Sequence, residues 1–194
     1  MTIVETERLI LRNWEEGDRD LFHEINADRK VMEFFPFRRS RPESDELFDR
    51  LRGMISDTGL GFYAVALKET GEAMGFCGIA RANVAPILPE ETVEIGWRLA
   101  TRFWGKGYIT EAASALIDFG FTRHDLPEIV AFAVASNDRS IAVMRRIGMR
   151  ADPLRDFVHP RVPESHPHLK QHVLYSVTAE RWRQARSRPP ATPG

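Results

Sequence analysis

Glu94-Ile95-Gly96-Trp97-Arg98-Leu99 runs through Ala100 and Thr101 into Arg102-Phe103-Trp104-Gly105-Lys106-Gly107-Tyr108. The first part alternates. Val93, Ile95, Trp97 and Leu99 share one face of a strand, and Glu94, Gly96 and Arg98 share the other. The second part is a glycine-bearing turn that opens a helix. A helix whose first turn is bare backbone points free N–H groups and the positive end of its dipole outward, where an anion can sit. Gly105 and Gly107 let backbone approach a phosphate closely, and Arg102 and Lys106 would add mobile positive charge at the rim. A dinucleotide fingerprint fits poorly, because Thr110 stands in place of its third glycine. A P-loop fits worse, since Gly105-Lys106 lacks both the upstream glycine and the following Ser or Thr. Taken alone, the fragment reads first as an ordinary tight strand-to-helix turn.

Downstream, Ile109, Ala112, Ala113, Leu116, Ile117, Phe119 and Gly120 give an amphipathic helix that Pro127 stops. Ile129 to Val134 is apolar on both faces, as a covered central strand would be, and carries no acid. Asn137 or Asp138 then caps a helix with Ile141, Val143, Met144 and Ile147 as its buried stripe and Gly148 just past its end. Residues 156–171 read as a proline- and histidine-rich loop, His172 to Val177 as a last strand, and the surroundings of Trp182 as a turn of helix. Upstream, Leu9-Ile10-Leu11 is a short strand, followed by a helix start at Glu15–Asp18 with Leu21, Phe22 and Ile25 behind it. A second helix is expected from about Pro42 to Ile55, with Leu47, Leu51, Met54 and Ile55 inward. Phe62–Leu67 and Met74–Ala82 form a hairpin across Glu69–Glu72. The expectation is one α+β domain over residues 1–186, with 187–194 as a disordered, proline-rich tail.

The chain has 194 residues, 43% hydrophobic and 28% charged, with a formal net charge of −1. No global field draws it onto nucleic acid or an anionic membrane, so any anion site must be local. A lone cysteine, Cys77, excludes an internal disulfide and a cysteine zinc cage. The start, Met1 to Arg8, places acids where a signal peptide needs an apolar run, and no stretch is apolar enough to span a membrane. A cytoplasmic protein is expected.

Arg102-x-x-Gly105-x-Gly107 resembles the Arg/Gln-x-x-Gly-x-Gly/Ala signature of the GNAT acetyltransferase superfamily. Several further motifs resemble its ribosomal-protein N-terminal acetyltransferase branch: Glu94-Ile95-Gly96-Trp97, Phe103 to Tyr108, Glu111-Ala112, Asn137-x-x-Ser140-Ile141 and Gly148-Met149. Thr6 to Arg12 is similar to that branch's opening strand and His172 to Tyr175 to its closing one, so the likeness spans roughly residues 6–182. The resemblance implies a mixed, mostly antiparallel sheet of about seven strands flanked by helices, with two central strands splayed apart. Into that gap would come the pantetheine arm of acetyl-coenzyme A, the cosubstrate. The backbone of Trp97, Arg98 and Leu99 would pair with the arm, Arg102, Phe103, Trp104, Gly105, Lys106, Gly107 and Tyr108 would hold the pyrophosphate, and Asn137 would contact the pantetheine. An acetyl group would pass directly to a primary amine, on a protein N-terminus or a small molecule, in a ternary complex.

Such a transfer needs a group to take the amine's proton and a donor for the leaving thiolate. Glu94, on the Gly96/Arg98 strand face, is the candidate base, with a surface pair to Arg98 as the alternative. Ser140 is the candidate thiolate partner, with helix capping as the alternative; no tyrosine lies between Tyr108 and Tyr175. His166-Pro167-His168 sits in a loop with no preorganised second shell, and no metal is expected. His159 or His172 could contact substrate, and Trp14, Phe34, Phe35 and Phe37 could wall its pocket. A coenzyme A-binding sensor or scaffold without catalysis is the competing function, and a homodimer is left open.

Overall fold

The computed structural model describes residues 1–187. Its strands are β1 (Thr2–Glu5), β2 (Leu9–Arg12), β3 (Gly61–Leu67), β4 (Ala73–Arg81), β5 (Val93–Leu99), β6 (Glu128–Val134), β7 (Arg150–Ala151), β8 (Phe157–Val158) and β9 (Gln171–Thr178). They form one sheet in the order β1-β2-β3-β4-β5-β6-β9-β7, with β8 also paired to β9. Every pairing is antiparallel except β5 with β6. β4 lies along the whole of β5, and β9 along the whole of β6, yet β5 and β6 meet only where Glu94 faces Val130. The sheet is therefore two halves that share one contact and then diverge. Nine strands replace the expected seven or so. Six of the nine were read individually from the sequence; the other three, β1, β7 and β8, hold four, two and two residues, and the two-residue strands are too short for an alternation to register.

The helices are α1 (Arg19–Ala27), α2 (Arg41–Thr58), α3 (Tyr108–Arg123), α4 (Asp138–Arg146) and α5 (Ala179–Ser187). Ser40 and Glu43 close a capping box at the start of α2, and Gly59 at φ 74° ends it. Its buried stripe is Ser44, Phe48, Leu51 and Ile55, one position round from the expected face, and Met54 stays 39% exposed. The reason is aromatic. Phe48 joins Trp14 and Phe22 in a cluster with centroids 4.8 to 5.6 Å apart, and burying three rings outweighs one methionine. Trp14, fully inside, is thus core and not pocket wall. Gly120 lets α3 lie close to the sheet, since a Cβ there would come within 2.9 Å of Ile129. Ser187, expected to begin the tail, lies in α5, and the rest of the expected tail lies outside the described residues. No described helix is long and apolar enough to cross a membrane.

Candidate active site

From the Glu94–Val130 contact the two half-sheets open onto a cavity of about 1680 Å³. Beyond Glu94, the β6-facing edge of β5 has no strand partner. Because backbone groups alternate along a strand, it is Trp97 and Leu99 that face this edge, while those of Arg98, expected to join them, turn toward β4. Leu99 offers less, because its carbonyl already accepts the Trp104 indole N–H at 2.9 Å. An extended chain entering the gap would complete the ladder.

At the outer end of the cavity stands the N-terminus of α3. Gly105 and Gly107 have φ of 75° and 77°, left-handed values that an L side chain rarely adopts. Gly107 is the N-cap residue and supplies no side-chain cap. The first N–H groups of a sixteen-residue helix therefore remain for a ligand. An acid in this turn, Glu111, would oppose an anion, but it is tied down. Thr6 Oγ1 donates to it at 2.5 Å, the Arg8 amide at 3.0 Å and Arg8 Nε at 2.7 Å. Burial works in the other direction, yet these bonds hold the Glu111 carboxyl below its usual range. Arg8 also donates to the Lys106 carbonyl at 3.1 Å and lies over the Tyr108 ring, so it braces the turn, and it borders a surface groove with Gly105, Gly107 and Arg146.

The two basic residues expected at the rim behave differently from that expectation. Arg102 forms an ion pair with Glu24 of α1 and packs on Phe103, while the Lys106 ammonium lies 5.9 Å from the Phe103 ring centre. The cations in the cavity wall beside the turn come instead from α4: Arg139, stacked over Trp104 at 4.7 Å and paired with Glu33, and Arg146. Sequence reasoning passed over both. Their seven-residue spacing, two helical turns, was the available signal, since it puts them on one face.

Asn137 caps α4: its Oδ1 accepts the Ser140 amide N–H at 3.1 Å. At the other end the Gly148 N–H bonds to Arg145 and the Met149 N–H to Met144, with Gly148 at φ 81°. Because Asn137 does the capping, the Ser140 hydroxyl is not needed for it. Both residues line the cavity.

Glu94 lines the cavity at the fork. Burial pushes its carboxyl up to about 7, against the pull of Arg161. The alternative, a surface pair with Arg98, is not formed. Arg98 Nη1 donates to Asn26 Oδ1 at 2.6 Å, and its guanidinium lies 4.5 Å from the Phe35 ring centre and 5.2 Å from that of Phe76. The strand next door begins one residue earlier than expected and so includes an acid, Glu128. That carboxylate is gripped by Arg155 at 2.7 and 2.9 Å, which holds it below its usual range and outside any base role. Beyond Glu94, His159 and His172 line the same wall with ring centres 4.8 Å apart. Burial, the His172 neighbour and Arg161 together bring His159 down to about 4, so both rings of the pair stay neutral near pH 7. Phe34, Phe35 and Phe37 line the cavity as expected for a pocket wall. His166 and His168 stand apart from it, and Cys77 is fully buried with its thiol pushed up by burial.

The family model described as an acetyltransferase (GNAT) domain matches residues 8–150. The chain is 31% identical over 167 residues to the uncharacterized N-acetyltransferase p20 of Bacillus licheniformis, covering 81% of this chain and 88% of p20. Among solved structures, an acetyltransferase of the GNAT family from Bacillus anthracis superposes with a TM-score of 0.77 at 25% identity, covering 93% of this chain and 99% of that one. Spermidine N-acetyltransferase from Vibrio cholerae, solved with CoA and spermine, shares the fold at a TM-score of 0.71 and 18% identity over 92% of this chain and 99% of that one.

Proposed function

The chain belongs to the GNAT acetyltransferase family and is an acetyl-CoA-dependent N-acetyltransferase; on that premise we propose that it acetylates a primary amine at the β5–β6 fork, with Glu94 as general base. The amine belongs to a protein N-terminus or a small molecule. Glu94 carries the proposal. It is the residue at which the sheet halves part, it lines the cavity, and its carboxyl sits near 7, where a base working at neutral pH is most effective. A sensor that only stored coenzyme A would need no ionisable group there.

The pantetheine arm lies along the open edge of β5 from Trp97 to Leu99. The pyrophosphate rests on the α3 N-terminus between Phe103, Trp104, Gly105, Lys106, Gly107 and Tyr108, with Arg139 and Arg146 supplying charge. Arg102 acts indirectly, by anchoring the turn to α1 through Glu24. Asn137 keeps one amide group for the arm while its oxygen caps α4. The amine nitrogen attacks the thioester carbon, and the C–N bond forms as the C–S bond breaks. Glu94 accepts the proton that the nitrogen gives up and later returns it to solvent, while the departing thiolate, held by a hydrogen bond from Ser140, takes up a proton from solvent. No covalent enzyme intermediate is required.

The direct experiment mixes the protein, acetyl-CoA and a panel of primary amines and follows free thiol together with acetylated product. Thiol released in step with an N-acetyl product supports the proposal. Coenzyme A binding with no product from any amine would refute it.

A further inference from the structure

The acceptor side of the cavity carries a charge pattern that the transfer chemistry does not use. Arg98 shares its strand face with Glu94, four residues along, which is about 13 Å between Cα atoms. Between them Gly96 leaves a floor without a side chain, bounded by the Phe62 ring. The Arg98 guanidinium is held by one neutral partner, the Asn26 amide oxygen, between the Phe35 and Phe76 rings. Among the described residues no carboxylate pairs with it. The charge that acts on it is another cation, Arg39, which packs on Phe37. Burial, with Arg39 adding repulsion, brings the Arg98 guanidinium down to about 9. A guanidinium has five N–H donors in a planar fork, and Asn26 uses one. The cavity wall as a whole holds eight Lys and Arg residues against three carboxylates, although the chain's net charge is −1. The coenzyme's phosphates account for the cations beside the α3 N-terminus. They do not account for Arg98 and Arg39, which face α1 and the segment between α1 and α2.

We propose that the acceptor is an amine that also carries a carboxylate, and that Arg98, with Arg39 beside it, binds that carboxylate while the amine lies against Glu94. This rests on the fork being the site of transfer. The pairing supplies the anion the buried guanidinium lacks, in the bidentate geometry that Arg and carboxylate favour. It also fixes the amine's direction along the strand, since the two ends of the acceptor meet opposite requirements. A polyamine would bring several positive charges into a chamber already lined by cations, so it is disfavoured as an acceptor.

The test separates recognition from turnover. The CoA-loaded protein is titrated calorimetrically with N-acetyl-β-alanine and with its uncharged amide, and thiol release is measured with β-alanine, β-alaninamide and spermidine. The expected result is at least tenfold tighter binding of the carboxylate than of the amide, with the same order in kcat/KM and spermidine poorest. Arg98→Gln and, independently, Arg39→Gln should shrink the carboxylate-to-amide ratio, the first nearly to one. Should Arg98→Gln fold poorly, the Arg39→Gln ratio still decides. Equal binding of the acid and amide to the wild type, or a ratio that both substitutions leave intact, would overturn the proposal. Absence of thiol release from every amine would count against acetyl transfer itself, and the binding ratio would still report on Arg98.

Discussion

Glu94 of β5 faces Val130 of β6, and this is the one register position at which the two halves of the sheet touch. The same residue is thus the hinge of the fork and the acid closest to its apex. A strand pair that continued would bury Glu94 against β6; a pair that ended earlier would leave it in open solvent. Ending at this position leaves it half-buried in the cavity wall, which is what raises its carboxyl to about 7.

Replacing Gly107 by alanine should weaken both folding and cofactor binding. Its φ of 77° imposes strain on any L side chain, on the order of 1–3 kcal/mol. Space is not the obstacle, since a Cβ would meet only Arg8 at 3.6 Å. Denaturant unfolding and coenzyme A titration of Gly107→Ala should therefore both shift.

Asn137 and Ser140 separate by their roles. Asn137→Ala removes the α4 cap and should cost about 1 kcal/mol in unfolding free energy. Ser140→Ala should leave stability within a few tenths of a kcal/mol, because the hydroxyl does not do the capping, yet slow turnover. Loss of stability without loss of rate in Ser140→Ala would reverse the assignment.

Arg8→Ala should weaken coenzyme A binding. It removes the cation paired with the Glu111 carboxylate, leaving the Thr6 hydroxyl and the residue-8 amide, so the carboxylate repels the pyrophosphate more strongly, and it removes the brace on the Lys106 carbonyl. A several-fold rise in Kd is expected, and Glu111→Gln in the same background should restore part of it. Because both side chains are partly exposed, the effect should diminish at high salt.

His159 gives a pH dependence of stability with a definite sign. Its folded value, about 4, lies below its unfolded value near 6.5, so between these the unfolded chain binds more protons. Stability from this residue is present above about pH 6.5 and is lost as pH falls toward 4. The Tm of His159→Gln should fall less steeply than that of the wild type across this window.

Much of this was legible in the sequence. The Val93–Leu99 alternation, the glycine turn and the cap at Asn137 or Asp138 each have a local cause, and the structure places the first two as read and chooses Asn137 for the third. The β5–β6 fork came from family resemblance, since divergence of two strands 35 residues apart leaves no local trace. Long-range partners were invisible for the same reason. Nothing near Arg102 in sequence points to Glu24, nothing near Glu111 points to Thr6 and Arg8, and Arg98 meets Asn26 only through the packing of α1 on the sheet. The rotated face of α2 had a local sign that hydropathy alone underweighted: Phe48 is larger than Met54 and has aromatic partners to meet.

The central claim is that the fork works as a base-assisted acetyl transfer site, and the pH profile of Glu94→Gln tests it most directly. With one amine acceptor and saturating acetyl-CoA, wild-type kcat/KM should rise with pH through an inflection near 7, as the Glu94 carboxyl ionises. Glu94→Gln should lose that inflection and fall about 10²- to 10⁴-fold in rate while its coenzyme A Kd stays near wild type. An unchanged profile and rate in Glu94→Gln would contradict the account.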